Sequence, residues 1–299
     1  RLRAINTRLL DDGTRAEWLD DERISTAVSA LTRIAAPGLI EANRIATELL
    51  TEGIVVDGLP DWDGGRSRSI RYIDWDTPAN NRFTVVNQYK VKCPPGHDTV
   101  KQHIIPDLVL LVNGIPLVVI ECKSPNLAEP MAEAIDQLRR YSDQRFASGE
   151  AGDHEGAPAL FNTNQLLIAT CFDDCRVGTI GAGASHYLPW KTVASAEHPH
   201  QRESDVAEIL GVSKLSPQQR TVAGMLAPVT LLDIVRHFTL FMTSGGQTLK
   251  RVCRYQQYRG VVKAVDRLKH GKTRIEDGEH DRRGGIIWHT QGSGKSLTM

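Results

Sequence analysis

The amino-acid sequence predicts an α/β fold: a mixed central sheet flanked by helices, followed by the beginning of a second α/β domain. Three observations support this fold class. Two strand-like apolar runs meet at Asn113-Gly114, residues 130–147 carry apolar side chains at helical intervals, and a short apolar run leads into the glycine-rich loop at 292–296. Alternation of strands and helices is typical of α/β domains.

The elements before the Asn-Gly pair are predicted from periodicity and composition. Residues 1–52 alternate charged and apolar positions at helical spacing, with Pro37 suited to the first turn of a helix. "GIVV" at 53–56 predicts a short strand, and the polar, glycine-rich stretch at 61–82 predicts a loop or an irregular hairpin. "RFTVVNQYKV" at 82–91 is rich in β-branched and aromatic residues, which favours a further strand.

The elements after the pair continue the alternation. Pro130 begins the helix predicted over 130–147. Further strands are predicted at 164–170 and 176–183, then a loop at 185–192, and helices or a linker over 191–220. An apolar helix is expected at 230–242 and a basic amphipathic segment at 248–271. We place the domain boundary near residue 225, which gives domains at 1–225 and 226–299.

Bulk composition limits the function classes. The chain has 299 residues with 40% hydrophobic and 24% charged residues, which is ordinary for a globular protein. Basic and acidic residues number 36 each, so net charge does not indicate a nucleic-acid partner. The longest apolar runs are interrupted by charged or turn residues, so we expect no membrane span. With no visible signal peptide, we expect a cytoplasmic protein. Because the sequence begins with Arg and stops inside a motif, we expect a fragment of a longer protein.

The cysteine pattern favours reduced thiols over a metal site. The five cysteines are irregularly spaced, and their number is odd. Cys171 with Cys175, or Cys93 with His97 and His103, could begin a zinc site. Neither set has a second ligand pair at zinc-finger spacing.

Charged residues at the ends of the Asn113-Gly114 hairpin predict a metal-dependent nuclease centre. Asn and Gly both accept positive φ, so the chain reverses there and brings Glu121 and Lys123 back towards Asp107. Glu121 and Lys123 are two apart on one strand and therefore share a face. Regular two-residue pairing would place Asp107 opposite residue 120, so we predict a bulge or a longer loop that places it opposite Glu121.

Two converging carboxylates suit Mg²⁺, which prefers oxygen ligands, and the backbone carbonyl of Cys122 between them is a further candidate ligand. A bound Mg²⁺ would polarise a phosphate and lower the pKa of bound water. Lys123 would stabilise charge on the phosphate. The alternative interpretation is that Asp107, Glu121 and Lys123 are solvent-exposed charges at strand ends. The helix after the hairpin adds Gln137 and Tyr141, which are four apart and share one face.

"PDLVLLVNGIPLVVIECKSP" followed by "QLRRY" resembles the PD-(D/E)xK nuclease core with the Q-x-x-x-Y motif of RecB-like nucleases. More specifically, most of residues 80–299 resembles the restriction (R) subunit of type I restriction enzymes. The resemblance implies that Asp107, Glu121 and Lys123 are catalytic, and that Gln137 and Tyr141 are accessory residues that contact DNA or support the site. RecB-like nucleases often use an additional acidic residue or histidine from an earlier helix, for which Glu41 and Glu48 are candidates. The alternative interpretation is that both are solvent-exposed helix carboxylates.

A second motif, "IIWHTQGSGKS", reads as a buried strand followed by a phosphate-binding loop. The pattern G-x-x-x-x-G-K-[ST] expects Gly where His289 stands, a departure that the resembled family tolerates. The candidate ATP-binding residues of the loop are Thr290, Gly292, Ser293, Gly294, Lys295 and Ser296. In the superfamily 2 motors that this region resembles, an upstream glutamine reads the adenine edge. Gln257 with Arg254 fits that role best, and Gln256 is the other candidate.

The resemblance implies a RecA-like motor domain after the nuclease, the cofactors Mg²⁺ and ATP, and double-stranded DNA as substrate. It also implies partners, namely modification and specificity subunits, with ATP-driven translocation before cleavage. We expect that the present chain alone does not hydrolyse ATP, because a Walker B motif cannot be placed. Two alternatives stay open: another nuclease–motor fusion of the type III restriction or RecB-like repair class, or an inactive DNA-binding module.

Overall fold

The computed structural model describes residues 1–95, 102–144, 155–172, 174–288 and residue 294. In these ranges the strands are β1 (Thr7–Leu9), β2 (Arg15–Glu17), β3 (Ile54–Val56), β4 (Arg68–Ile70), β5 (Phe83–Asn87), β6 (Val91–Lys92), β7 (His103–Ile104), β8 (Leu108–Val112), β9 (Ile115–Cys122), β10 (Leu166–Cys171), β11 (Asp174–Gly178), β12 (Thr239–Ser244) and β13 (Gln247–Val252). The α-helices there are α1 (Leu2–Ile5), α2 (Asp21–Thr32), α3 (Leu39–Glu52), α4 (Pro130–Tyr141), α5 (Glu203–Ile209), α6 (Pro217–Ala223), α7 (Pro228–His237), α8 (Tyr255–His270) and α9 (Arg274–Asp277).

A mixed five-stranded sheet forms the centre, as the sequence predicts. Its strand order is β11-β10-β9-β8-β5, in which β10 runs parallel to β9 and the other neighbours are antiparallel. The parallel pair is connected through α4, because parallel neighbours need a crossover rather than a tight turn. Helix α4 packs on β9 and β10 and buries Ala134, Ile135 and Leu138. This crossover brings one face of α4 to the end of β9 that carries Glu121.

The β8–β9 hairpin has the predicted irregularity. Asn113 and Gly114 have φ of 54° and 87°, the left-handed values that a tight hairpin turn requires. Near the turn Leu111 pairs with Pro116, but Leu110 pairs with Val118, so the register shifts by one residue. Such a bulge turns every later side chain on that strand relative to its partner. The prediction of irregular pairing is therefore confirmed.

One hydrophobic core joins residues from both sides of position 225. Met225, Leu231 and Tyr258 are almost fully buried in the same cluster as Leu117 and Ile168 of the central sheet. The hydrophobic core packs continuously across residue 225, so the domain boundary near that residue stays a prediction.

Several predicted elements differ from the structure. The segment at 1–52 contains the β1–β2 hairpin as well as helices, and the strand predicted over 176–183 ends at Gly178. The helix predicted over 130–147 ends at Tyr141, and residues 145–147 lie outside the described ranges. The helix predicted over 230–242 ends at His237, and the following residues form β12. Pairing with β13 across Gly245-Gly246 explains that difference, since both glycines have positive φ and form the hairpin turn.

In the described part of the chain, no helix has the length and apolar character needed to cross a membrane.

Candidate functional site

The structure brings Asp107, Glu121 and Lys123 together at one end of the central sheet. Because of the bulge, Leu108 pairs with Ile120, so Asp107 lies opposite Glu121 at the next position. The Lys123 Nζ lies 2.9 Å from Glu121 Oε1, and the backbone N–H of Cys122 donates to Asp107 Oδ2 at 2.9 Å. The three charged groups are thus one connected cluster rather than separate strand-end charges.

Glu121 is the most unusual group of this cluster, because it is a carboxylate with only 2% of its surface exposed. Burial raises the pKa of Glu121, the hydrogen bond from Lys123 lowers it, and the nearby charge of Asp107 raises it again. Glu121 Oε2 is buried and has no hydrogen-bond partner among the described residues. A buried oxygen of this kind carries a large desolvation cost unless a ligand satisfies it.

The side chains of the cluster supply the type of ligand atom, oxygen, that a magnesium ion prefers. Asp107 and Glu121 supply oxygen atoms, and a carboxylate oxygen that already accepts one hydrogen bond still has a lone pair. No group of three or more His, Cys, Asp or Glu side chains suited to a metal occurs in the described ranges. The remaining ligands would be water and a backbone carbonyl, for which Cys122 stays the predicted donor. Mg²⁺ usually keeps several waters and binds one or two carboxylates, so this donor set suits it.

Gln137 and Tyr141 connect Lys123 to the backbone. Lys123 Nζ donates to Gln137 Oε1 at 2.6 Å, Gln137 Nε2 donates to Tyr141 Oη at 2.5 Å, and Tyr141 Oη donates to the carbonyl of Ile105 at 3.2 Å. Burial raises the pKa of Tyr141, and the charge of Glu121 adds to that effect. The two residues of the Q-x-x-x-Y motif therefore contact the site directly, and their observed contacts support the lysine.

The two additional acidic candidates, Glu41 and Glu48 of α3, pair with an arginine. Arg44, on the same helix, pairs with Glu41 at 2.9 Å and with Glu48 at 2.5 Å. The hydrogen bonds described for these two carboxylates do not reach Asp107 or Glu121. Arg140 lies 3.7 Å from Glu155, and its guanidinium stacks 5.2 Å from the Tyr141 ring.

Gln88 contacts the site, although the sequence did not suggest it. Its Nε2 donates to Asp107 Oδ1 at 2.9 Å, and its backbone N–H donates to the Asp107 carbonyl at 2.8 Å. The signal available in the sequence was a polar pair, Asn87-Gln88, at the end of a strand-like run. A polar pair at the end of a strand does not reveal which strand lies next to β5.

Of the predicted nucleotide site, the structure describes Arg254, Gln257 and Gly294. The prediction of a buried strand before the loop is wrong: residues 284–288 form no strand, because no described strand pairs with them, and Ile286 and Trp288 are exposed. Gln257 is 6% exposed at the start of α8, where its Oε1 accepts from the backbone N–H of Arg254 at 2.7 Å. Its Nε2 donates to the carbonyl of Gly294 at 3.0 Å, so the predicted adenine-reading residue touches the predicted phosphate loop. The remaining loop candidates lie outside the described residues: Thr290, Gly292, Ser293, Lys295 and Ser296.

The five cysteines form no disulfide in the structure, and the expectation of reduced thiols stays a prediction. Cys93, Cys171 and Cys175 are buried, the last two on neighbouring strands. Of the suggested zinc ligands, His97 lies outside the described residues.

Comparison with known proteins identifies the family. Residues 2–186 match the family described as the N terminus of the type I restriction enzyme R protein, and residues 256–299 match the SWI2/SNF2 ATPase family. The chain is 31% identical to the type I restriction enzyme HindI endonuclease subunit of Haemophilus influenzae, over 94% of this chain and 24% of that protein. It is 26% identical to the putative type I restriction enzyme MjaIXP endonuclease subunit of Methanocaldococcus jannaschii, over 94% of this chain and 25% of the relative. The chain thus spans about a quarter of the length of these curated relatives. It belongs to the family of type I restriction enzyme R proteins and matches the N-terminal part of that family.

Proposed function

We propose that this chain carries the endonuclease centre of a type I restriction enzyme R protein and hydrolyses phosphodiester bonds of double-stranded DNA with Mg²⁺. The observation that carries the proposal is the cluster of Asp107, Glu121 and Lys123, in which a buried glutamate oxygen has no hydrogen-bond partner among the described residues. The mixed sheet with its charged hairpin end supports a PD-(D/E)xK fold. The names of the relatives support a restriction endonuclease.

The side chains divide the work as follows. Asp107 and Glu121 would hold the ion, with the Cys122 carbonyl as a third oxygen. The chemistry that Mg²⁺ supplies when bound is polarisation of the phosphate and a lowered pKa of bound water. Lys123 presents an ammonium group whose position is fixed by Glu121 and by Gln137, so it meets developing negative charge without reorganising. Tyr141 holds Gln137 in turn.

Plasmid nicking in Mg²⁺ tests the nuclease. We expect Asp107→Ala and Glu121→Gln each to lower the rate by a factor of about 100 or more, as is usual when a group that stabilises transition-state charge is lost. Glu129→Gln is the matched control, because this exposed glutamate lies at the start of α4 and is not a member of the cluster. Nicking by Asp107→Ala at the wild-type rate would overturn the role of this site, and absence of nicking by the wild type would favour a DNA-binding module without this chemistry.

We further propose an ATP site formed by Gln257, Arg254 and the loop from Thr290 to Ser296. Contact between Gln257 and Gly294 supports it, as does the match to an ATPase family. In the whole protein this site would belong to a motor that translocates DNA, in a complex with modification and specificity subunits.

Binding of a fluorescent ATP analogue to the full-length protein tests this second site. We expect Gln257→Ala to weaken binding about tenfold, the effect of losing one or two hydrogen bonds. Gln256→Ala is the control, because Gln256 is the other candidate for the adenine-reading role. A larger effect of Gln256→Ala would transfer the role to that residue.

A further inference from the structure

Gln88 lies beside Asp107 and Glu121 and continues their row of polar side chains across the central sheet. Strands β5 and β8 pair antiparallel with Asn87 opposite Leu108, so at the next position Gln88 lies opposite Asp107. On the other side of Asp107 the next strand presents Glu121. Directly opposed residues project to the same face of a sheet. Gln88, Asp107 and Glu121 therefore stand side by side on three neighbouring strands, facing the proposed metal.

The backbone of Gln88 adopts a conformation that its residue type disfavours. Its φ is 49°, in the left-handed region where glycine and, less readily, asparagine are the usual residues. The chain nevertheless remains paired through this point, since Gln88 and Tyr89 donate their N–H groups to the carbonyls of Asp107 and Pro106. Disfavoured backbone of this kind is retained where the side chain has a task. Glutamine differs from asparagine here in having one more methylene, which extends its reach.

We propose that Gln88 is a positioning residue that fixes the carboxylate of Asp107 for metal binding. This inference rests on the proposed function. Two N–H donors hold Asp107: Gln88 Nε2 bonds Oδ1 from one neighbouring strand, and the Cys122 backbone bonds Oδ2 from the other, both at 2.9 Å. Together they fix the plane of the carboxylate and oppose the repulsion that would turn it away from Glu121. Each oxygen keeps a lone pair for the ion.

Because Gln88 is exposed, positioning of Asp107 can be distinguished from a role in stabilising the fold. The side chain of Gln88 is exposed, and within the described ranges its one hydrogen bond is the one to Asp107. Loss of the amide therefore changes the freedom of Asp107 and leaves the hydrophobic core untouched. Groups that orient metal ligands typically contribute factors of about 10 to 100 in metal affinity or activity.

Binding of Mn²⁺ to the full-length protein without DNA, followed by electron paramagnetic resonance of the free ion, tests the proposal. We expect Gln88→Met, which keeps the shape and loses the donor, to raise the Kd for Mn²⁺ about tenfold. Saturating Mg²⁺ should restore most of its nicking rate. Gln88→Gly should weaken Mn²⁺ binding equally without lowering the thermal midpoint, because glycine accepts the positive φ. Asn87→Met is the control, since the preceding residue projects to the opposite face.

Each outcome decides a different point. Unchanged Mn²⁺ affinity in Gln88→Met, beside lost binding in Glu121→Gln, would overturn the role of Gln88 and leave the proposed function standing. Equal weakening by Asn87→Met would also overturn it, because the effect would then belong to the whole segment. A wild-type protein that neither binds Mn²⁺ nor nicks DNA would overturn both proposals.

Discussion

Replacement of Lys123 by Met tests how the proposed nuclease site holds a buried carboxylate. The ammonium donates to Glu121 Oε1 and Gln137 Oε1, and the Lys123 side chain is 17% exposed whereas that of Glu121 is 2% exposed. In Lys123→Met the apolar stem is retained and the cation is lost. Glu121 then faces Asp107 with no opposing charge among the contacts described above.

The expected cost follows from this burial. Removing one partner of a fully buried ion pair costs about 3–5 kcal/mol. Here Lys123 retains some solvent contact and Glu121 is able to take up a proton, so we expect a loss of about 2–3 kcal/mol in the free energy of unfolding at neutral pH. The double variant Glu121→Gln/Lys123→Met removes both charges. It should be more stable than Lys123→Met alone by about 1 kcal/mol or more.

The stability loss of Lys123→Met depends on pH through the pKa of Glu121. Without Lys123 the pKa of Glu121 lies even further above its ordinary value of 4.5, because the largest opposing effect is gone. A carboxyl whose folded pKa is raised contributes stability that is present below the unfolded pKa and is lost as the pH rises through the folded pKa. The deficit of Lys123→Met should therefore be largest at neutral pH and shrink as the pH falls towards 4.5.

Urea denaturation of the metal-free protein at several pH values measures these quantities. Lys90→Met is the control, because Lys90 is exposed on the surface. A Lys123→Met variant that loses no more stability than this control, at every pH, would refute the account of Glu121 as a buried and electrostatically held carboxylate.

Two further substitutions test how the site is supported. Asn43→Leu should lower the free energy of unfolding by about 3 kcal/mol or more. The fully buried Asn43 amide donates to the carbonyls of Phe161, Asn162 and Asn164 and accepts from Lys250, and all four groups would lose a partner. The control Thr51→Val, in a less buried position of the same helix, should cost much less, and equal urea midpoints for the two variants would contradict the reasoning. Gly156→Ala should cost about 1–3 kcal/mol and reduce nicking, since its Cβ would lie 2.3 Å from the carbonyl oxygen of Tyr141. The control Gly183→Ala meets its nearest atom at 3.7 Å, and a Gly156→Ala protein as stable and as active as this control would show that the end of α4 adjusts freely.

Local signals in the sequence predicted the centre of the site. Asn113-Gly114 specified the turn, the two-residue period placed Glu121 and Lys123 on one face, and the requirement that Asp107 face Glu121 predicted the bulge that the structure has. The roles assigned to these residues stay predictions. What local signals do not contain is which strands lie side by side.

Contacts between distant segments explain what the sequence did not predict. Gln88 meets Asp107 only because β5 pairs with β8, some twenty positions away along the chain. Lysine usually lies on the surface, yet Lys250 is buried, and its Nζ donates to Asn43 Oδ1, the carbonyl of Asn164 and Gln165 Oε1. The run at 230–242 is apolar apart from a few positions such as Asp233 and Arg236-His237, so its pattern does not show where the helix ends and the strand that pairs with β13 begins.

The shared core has a practical consequence for dividing this protein. Trp190 lies before position 225 and Tyr258 after it, yet their rings lie 5.6 Å apart, and Phe238 packs on the same tyrosine at 4.9 Å. A polypeptide truncated at 225 would leave this aromatic contact surface open to water and prone to self-association. Conversely, a protease that nicks the backbone near 225 should yield two pieces that still elute together in size-exclusion chromatography, held by side chains rather than by the peptide bond.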